Sequence, residues 1–322
     1  MLAHYFLFLA KTLTIVIALL LLLAGILILI SRGKAKSKDK IEIKKINARY
    51  HHYEQELLDI IRDKQLRKKQ LKAEKKQLKA LQAEKHKKIF VLNFIGDIRA
   101  SSVKNLREEI TAILTVAQPT DEVVLKLESP GGLVPAYGLA ASQLQRLRQR
   151  QIPLTVIIDK VAASGGYMMA CVANHILAAP FAIIGSIGVI AQMPNFHRWL
   201  KKKDIDWEQI MAGQYKRTLT LFGENTSEAR EKFQAEVNDT QTLFKSFVVE
   251  NRPVLDIDQV ATGEHWYGAR AIELKLIDDI ITSDDYLQKA SKEADIYEIC
   301  YHSKKALLNK FAHAAQQSLS WL

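Results

Sequence analysis

Two short glycine-containing stretches put a serine where catalysis could take place. "ESPGG" (residues 128–132) and "AASGG" (residues 162–166) each follow an apolar run that reads as a strand, so both loops fall at strand ends. A serine hydroxyl such as that of Ser164 becomes a nucleophile once a neighbouring base takes its proton. Glycine lets backbone approach a substrate closely and leaves N–H groups free to face a developing oxyanion. Each stretch alone also has an ordinary reading, since Ser is a preferred helix N-cap and Pro-Gly pairs mark turns. Two such loops at successive strand ends put the catalytic reading level with the ordinary one.

The base is harder to find. His175, His197, His265, His302 and His313 sit in no recognisable triad context, and the G-x-S-x-G hydrolase elbow is absent because Ala162 occupies its first Gly position. Lysine can replace histidine where an apolar site lowers its pKa enough for a neutral amine to exist. Lys216, in "MAGQYKRTLTLFGEN", is flanked by apolar, aromatic and hydroxyl residues. A lysine read by itself is nevertheless more often solvated than buried. No Cys/His set has zinc-ligand spacing, so no metal is expected. Cys171 and Cys300 make no disulfide framework, and Cys171, in a run of small and apolar residues, reads as a buried reduced thiol.

The elements that must position these residues follow from texture. Residues 12–30 are nineteen residues without a charge, close to the roughly 20 that span a bilayer as a helix. The run is longer than a signal-peptide core and no small-x-small cleavage site follows it, so residues 1–31 read as a transmembrane signal anchor. Residues 32–88 carry 20 Lys/Arg against 8 Asp/Glu and read as a basic helical extension from about Lys44, a spacer rather than a regular coiled coil. Residues 89–322 carry 25 against 27, so the overall +11 belongs to the extension, and nucleic-acid binding by the domain loses its main argument.

Residues 89–295 alternate strand-like and helix-like segments, which predicts an α/β domain with a mostly parallel sheet. Strands are expected at "KIFVLNFIG", "DEVVLKLE", "IPLTVIID", "HILAAP" and "SIGVIA", and helices at 101–116, 134–149 and from about Ser164. In such folds reactive groups collect at the carboxyl ends of strands. The tail, 296–322, has apolar residues at helical spacing.

"SPGG", "AASGGY", "GSIGVI" and "AGQYKRT", in that order and spacing, resemble the signal peptide peptidase A family of Ser/Lys membrane serine peptidases. The resemblance is strongest from about 89 to 285 and implies a ClpP/crotonase-like spiral of ββα units that assembles as a homo-oligomeric ring. It implies Ser164 as nucleophile, Lys216 as general base, Ser186 as the hydroxyl orienting the lysine, and N–H groups of Gly131, Gly132 and Gly165 around the oxyanion. It also implies peptide or unfolded polypeptide substrates, no cofactor, shallow apolar pockets for small side chains, and action on the periplasmic face of a bacterial inner membrane. "YKRT" departs from the "KD" ending common in the family. Two other readings compete: a catalytically silent ring-forming membrane scaffold, and a crotonase-like acyl-CoA enzyme, which needs neither anchor nor Ser/Lys pair.

Two membrane questions bear on the site. Residues 176–195 are uncharged, but a span there would put Ser164 and Lys216 on opposite sides of the bilayer, and Pro180, Gly185 and Gly188 suit short buried strands better. Seven Lys/Arg between Arg32 and Lys45 follow the anchor, so the positive-inside rule favours a cytoplasmic domain, against the periplasmic side implied by resemblance.

Overall fold

Helix α1 (Leu2–Arg32) carries the uncharged run, and its stretch Tyr5–Leu23 is the one helix among the described residues long and apolar enough to cross a membrane. The structure, a computed structural model, describes residues 2–32, 40–61 and 87–302. The chain divides into two compact units, one containing α1 and the other running from Ile41 to Tyr301.

The second unit starts with β1 (Lys40–Lys45), α2 (Ile46–Ile61), β2 (Lys88–Ile95), α3 (Val103–Leu114), β3 (Glu122–Glu128) and α4 (Val134–Gln149). Next come β4 (Leu154–Ile158), β5 (Val161–Ala163), α5 (Gly165–Ala170), β6 (His175–Ala178) and β7 (Ile183–Gly185). After α6 (His197–Lys201) and the long α7 (Ser227–Asn251) follow α8 (Ile257–Val260), β8 (His265–Tyr267), α9 (Gly268–Ala271), β9 (Asp279–Ile280), α10 (Ser283–Ala290) and β10 (Asp295–His302).

A seven-stranded sheet has the order β1-β10-β2-β3-β4-β6-β9, and its pairs from β10 to β9 are parallel. Parallel strands covered on both faces must be apolar along their length, and "LTVII" of β4 is buried throughout. Strand β2 splits its side chains by the period of two: Phe90, Leu92 and Phe94 enter the main core, while Ile89 and Val91 join Ile46, Leu287 and Ile296 on the other face. A second sheet, β5-β7-β8, is joined to the first by the bridge between Ser129 and Ala162.

Three segments differ from their sequence reading. The helix expected from Lys44 begins at Ile46, because Lys40–Lys45 adds a strand to the large sheet. Asn47 fixes that start by accepting from Ile296 N (2.7 Å) and donating to the Ser291 and Ala294 carbonyls (3.0 and 2.9 Å). The rest of the expected extension, 62–86, lies outside the described residues. Residues 296–302, assigned to a tail with helical spacing, belong to strand β10, whose Asp295–Glu298 pair in parallel with β2, and 303–322 also lie outside the described residues. The strand expected at "SIGVIA" falls earlier, at Ile183–Gly185, because positive φ at Gly185 (97°) and Ser186 (51°) turns the chain there. Residues 176–195 thus form two short strands and a loop.

The C-terminal end of α7 is clamped below α5. Arg252, 6 % exposed, meets Asp278 with two hydrogen bonds (2.8 and 3.2 Å), and its Nε donates to the Lys275 carbonyl at 2.8 Å. Tyr167 of α5 donates its hydroxyl to Leu276 O (2.9 Å) on the same connection. Burial pushes the Asp278 carboxyl up, but hydrogen bonds from Arg252 and Ile176 N outweigh it and hold the group below the ordinary carboxylate range. A lowered native value stabilises above the unfolded range and is lost as pH falls through the native value. Arg252→Met is expected to cost about 2 kcal/mol in urea unfolding at neutral pH, the half-exposed carboxylate moderating the penalty of a broken buried pair. The difference from wild type should shrink below about pH 4.

Candidate active site

Strands β5 and β7 lie side by side in parallel with Ala163 opposite Gly185, so Ser164 and Ser186 leave adjacent strand ends. The N–H of Ser164 donates to Gly185 O at 2.8 Å, and that of Ser186 to Glu264 O at 2.7 Å. Both serines stand in the left-handed region, at φ 52° and 51°. Such a conformation costs a non-glycine residue about 1 kcal/mol or more and persists where the surroundings impose it. Ser164 occupies the N-cap position of α5, yet its side chain makes no capping hydrogen bond. The hydroxyl that reads as a cap is therefore not used as one.

The "SPGG" loop lies directly against this elbow. Gly131, at φ +90°, approaches so closely that a Cβ there would come within 2.8 Å of Ser164 Cβ and of Gly165 N. A Cβ on Gly165 would run into the Tyr137 ring. The Gly131 N–H donates to Ser129 Oγ at 3.1 Å and is thereby engaged. The N–H groups of Gly132 and Gly165 have no acceptor among the loop and turn bonds of the described residues. Of the three glycines read as oxyanion donors, Gly131 and Gly165 stand beside Ser164 and Gly132 lines the same cleft, with no acceptor on the latter two N–H groups among these bonds.

Beside Ser164 opens a cleft of about 300 Å³, lined among others by Gly132, Gly138, Met168, Val189, Leu243 and Phe244. Its walls are mainly apolar, with Ser142 and Thr240 adding hydroxyls. The volume accepts a larger side chain than the shallow pockets the resemblance implies.

Ser186 is half-buried and donates its hydroxyl to Gly263 O at 3.3 Å, so "TGEHWYG" borders the site through β8, antiparallel to β7. Lys216 makes no hydrogen bond to these groups among the described residues. It lies on the exposed loop between α6 and α7, its N–H bonded to Gly213 O (3.1 Å), and its amine makes no ion pair among the described residues. The loop is held by a cluster of Phe196, Trp207 and Phe222 and, along the same segment as the lysine, exposes Ile210 (98 %), Met211 and Tyr215. Cys171 is free and fully buried, its thiol pushed up to about 12 by desolvation, which keeps it protonated and inert.

Sequence reasoning passed over two residues at the site. Ser129 was visible only as the start of a turn and Tyr137 only as one position of an amphipathic helix. The sequence signal that points to them is the eight-residue separation that returns α4 over the loop it leaves.

Profiles of the N-terminal region of peptidase family S49 and of family S49 itself match residues 1–144 and 146–297. A Haemophilus influenzae protein described as a probable protease SohB is 51% identical over 292 residues, covering 86% of this chain and 83% of that one. The chain belongs to peptidase family S49. A protein of Buchnera aphidicola subsp. Acyrthosiphon pisum described as a probable protease SohB is 57% identical over 73% of this chain and 70% of its own length. Among solved structures, a variant of the 1510-N membrane-bound stomatin-specific protease matches at 16% identity and a TM-score of 0.41, over 64% of this chain and 85% of that one. Membership of S49 supports a protease, and the structure adds a mixed α/β fold and an apolar N-terminal helix.

Proposed function

We propose that this S49 peptidase is a membrane-anchored serine endopeptidase in which Ser164 is the nucleophile and Lys216 the general base. The observation that carries the reading is the Ser164 elbow: a strained, half-buried serine that caps nothing, with two available glycine N–H groups and an apolar cleft beside it. The neutral Lys216 amine accepts the Ser164 proton as Oγ bonds to the peptide carbonyl carbon, and the N–H groups of Gly132 and Gly165 take the oxyanion. Protonated Lys216 then donates to the amine leaving group as the C–N bond breaks. Water, deprotonated by the same lysine, hydrolyses the acyl-enzyme and restores Ser164. Ser186, beside Ser164 at the next strand end, orients the lysine.

Lys216 is exposed in the single chain, and a general-base lysine has to be taken out of water. The exposed apolar side chains of its loop, Ile210, Met211 and Tyr215, are what further copies of the chain would cover, consistent with a homo-oligomeric ring of crotonase-like spiral domains. Helix α1 anchors the domain to the bacterial inner membrane, on the periplasmic side by resemblance. Substrates are peptides or unfolded segments with an apolar side chain filling the cleft. The proposal requires neither metal nor cofactor.

The full chain in detergent is expected to cleave a denatured protein and generate fragments whose new C-termini carry apolar residues. An assembled, folded preparation that leaves denatured protein and peptides intact would instead make the chain a silent scaffold. The cleft assignment has its own prediction. A Cβ on Gly138, in helix α4, would meet nothing within 4 Å. Gly138→Ala should therefore stabilise by about 0.5–1 kcal/mol through helix propensity. Gly138→Met should fill the cleft and lower kcat/KM for large apolar residues by about tenfold or more, sparing alanine substrates.

A further inference from the structure

Ser129 is completely buried, and it is tied to the elbow strand through its backbone. Its N–H donates to Val161 O (2.8 Å) and its carbonyl accepts from Ala163 N (3.0 Å), one residue before Ser164. Its Oγ accepts the Gly131 N–H at 3.1 Å and lies 2.6 Å from the Tyr137 hydroxyl. Tyr137, also fully buried, donates to Asp97 O at 2.8 Å. A tyrosine has one hydroxyl proton, so the Ser129 hydroxyl must be the donor to Tyr137. The polarity of the chain is thereby set: Gly131 N–H to Ser129, Ser129 to Tyr137, Tyr137 to the Asp97 carbonyl.

This relay starts on the N–H of Gly131, the residue before Gly132, while the Tyr137 ring lies where a Cβ on Gly165 would be. One tyrosine thus touches both halves of the proposed oxyanion site, through its ring at Gly165 and through Ser129 at Gly131. We infer that Ser129 and Tyr137 are positioning residues that set the Gly132 and Gly165 N–H groups relative to Ser164, with Tyr137 acting partly through Ser129. The inference rests on the serine-peptidase reading above. A hydrogen bond to the loop is made before substrate arrives, so the pair contributes to turnover by alignment and leaves ground-state peptide binding alone.

The test is a double-mutant cycle on the full chain in detergent, with kcat and KM measured on one peptide substrate and thermal midpoints alongside. Tyr137→Phe keeps the ring and is expected to lower kcat about tenfold; Ser129→Ala, which frees the Gly131 N–H, about thirtyfold. KM should stay within about twofold for both. The double variant should fall about as far as Ser129→Ala alone, because the hydroxyl of Tyr137 acts through Ser129. A peptide aldehyde, which adds the Ser164 oxygen to form a hemiacetal, should lose affinity by the same factors, and a product peptide should not.

Unchanged kcat, a proportional rise in KM, or effects that multiply in the double variant would overturn the inference. Should Ser129→Ala not fold, Tyr137→Phe and the aldehyde comparison decide it alone. Ser164→Ala separates the two ideas. If that variant is inactive while Tyr137→Phe and Ser129→Ala turn over normally, the positioning role fails and the nucleophile stands; if it remains active, the serine-peptidase reading fails.

Discussion

Ser164→Ala is expected to reduce peptide cleavage on the order of 10⁴-fold or more, to a residue supplied by binding and the glycine N–H groups alone. Alanine keeps the Cβ at φ 52°, and the side chain makes no capping bond, so the substitution removes chemistry and little else. Unfolding should stay within about 0.5 kcal/mol of wild type. Ser164→Gly sharpens the point. Glycine adopts positive φ without strain, so this variant should be more stable by about 1 kcal/mol and equally inactive. A stabilising substitution that abolishes turnover marks strain kept for function. Initial rates on one peptide, with urea unfolding of the same preparations, check both halves.

Lys216→Arg and Lys216→Met are expected to lose about 10²–10⁴-fold in kcat, the range for a missing acid–base group. The arginine variant carries the stronger argument. Its charge and length resemble lysine, but a guanidinium does not deprotonate in proteins and cannot accept the serine proton. Lys216 is exposed on its loop and makes no ion pair among the described residues, so neither variant should lower the thermal midpoint of the single chain noticeably. If Lys216→Arg cleaves as fast as wild type, the amine is not the base. Oligomeric state measured for each variant separates a lost base from a lost assembly, since Ile210, Met211 and Tyr215 on the same loop are unchanged.

The parallel sheet was legible because its inner strands bury both faces and so read as unbroken apolar runs, "LTVII" of β4 above all. Strand β1, "KIEIKK", was not, because five of its six residues are exposed and its lysines merge with the charge of the extension. Residues 296–302 were taken into the tail on the helical spacing of Leu307, Leu308, Phe311 and Leu319 further on, and strand β10 buries Ile296 and Ile299 three apart, without the alternation that marks a strand in sequence. At "SIGVIA" the apolar content was read correctly and the turn was not, since positive φ at a serine leaves no mark in composition.

The site divides the same way. Ser164 and the glycine loops were legible as strand-end chemistry, and their closeness comes from the bridge that ties Ser129 to Ala162. That Gly131 is engaged and Gly132 available depended on where Ser129 Oγ points, which only the fold decides. Lys216 was placed by the order of motifs, and its exposure on a loop studded with apolar residues leaves the apolar site that the proposed base needs to be supplied by a covering surface.

The most direct measurement is mass-spectrometric mapping of the site labelled by a peptide phosphonate in the full chain, with its labelling rate in wild type and Lys216→Arg. The account predicts a single adduct on Ser164, formed at least about a hundredfold more slowly in the lysine variant. An adduct on another residue, or equal rates in both proteins, would contradict the Ser164–Lys216 pair.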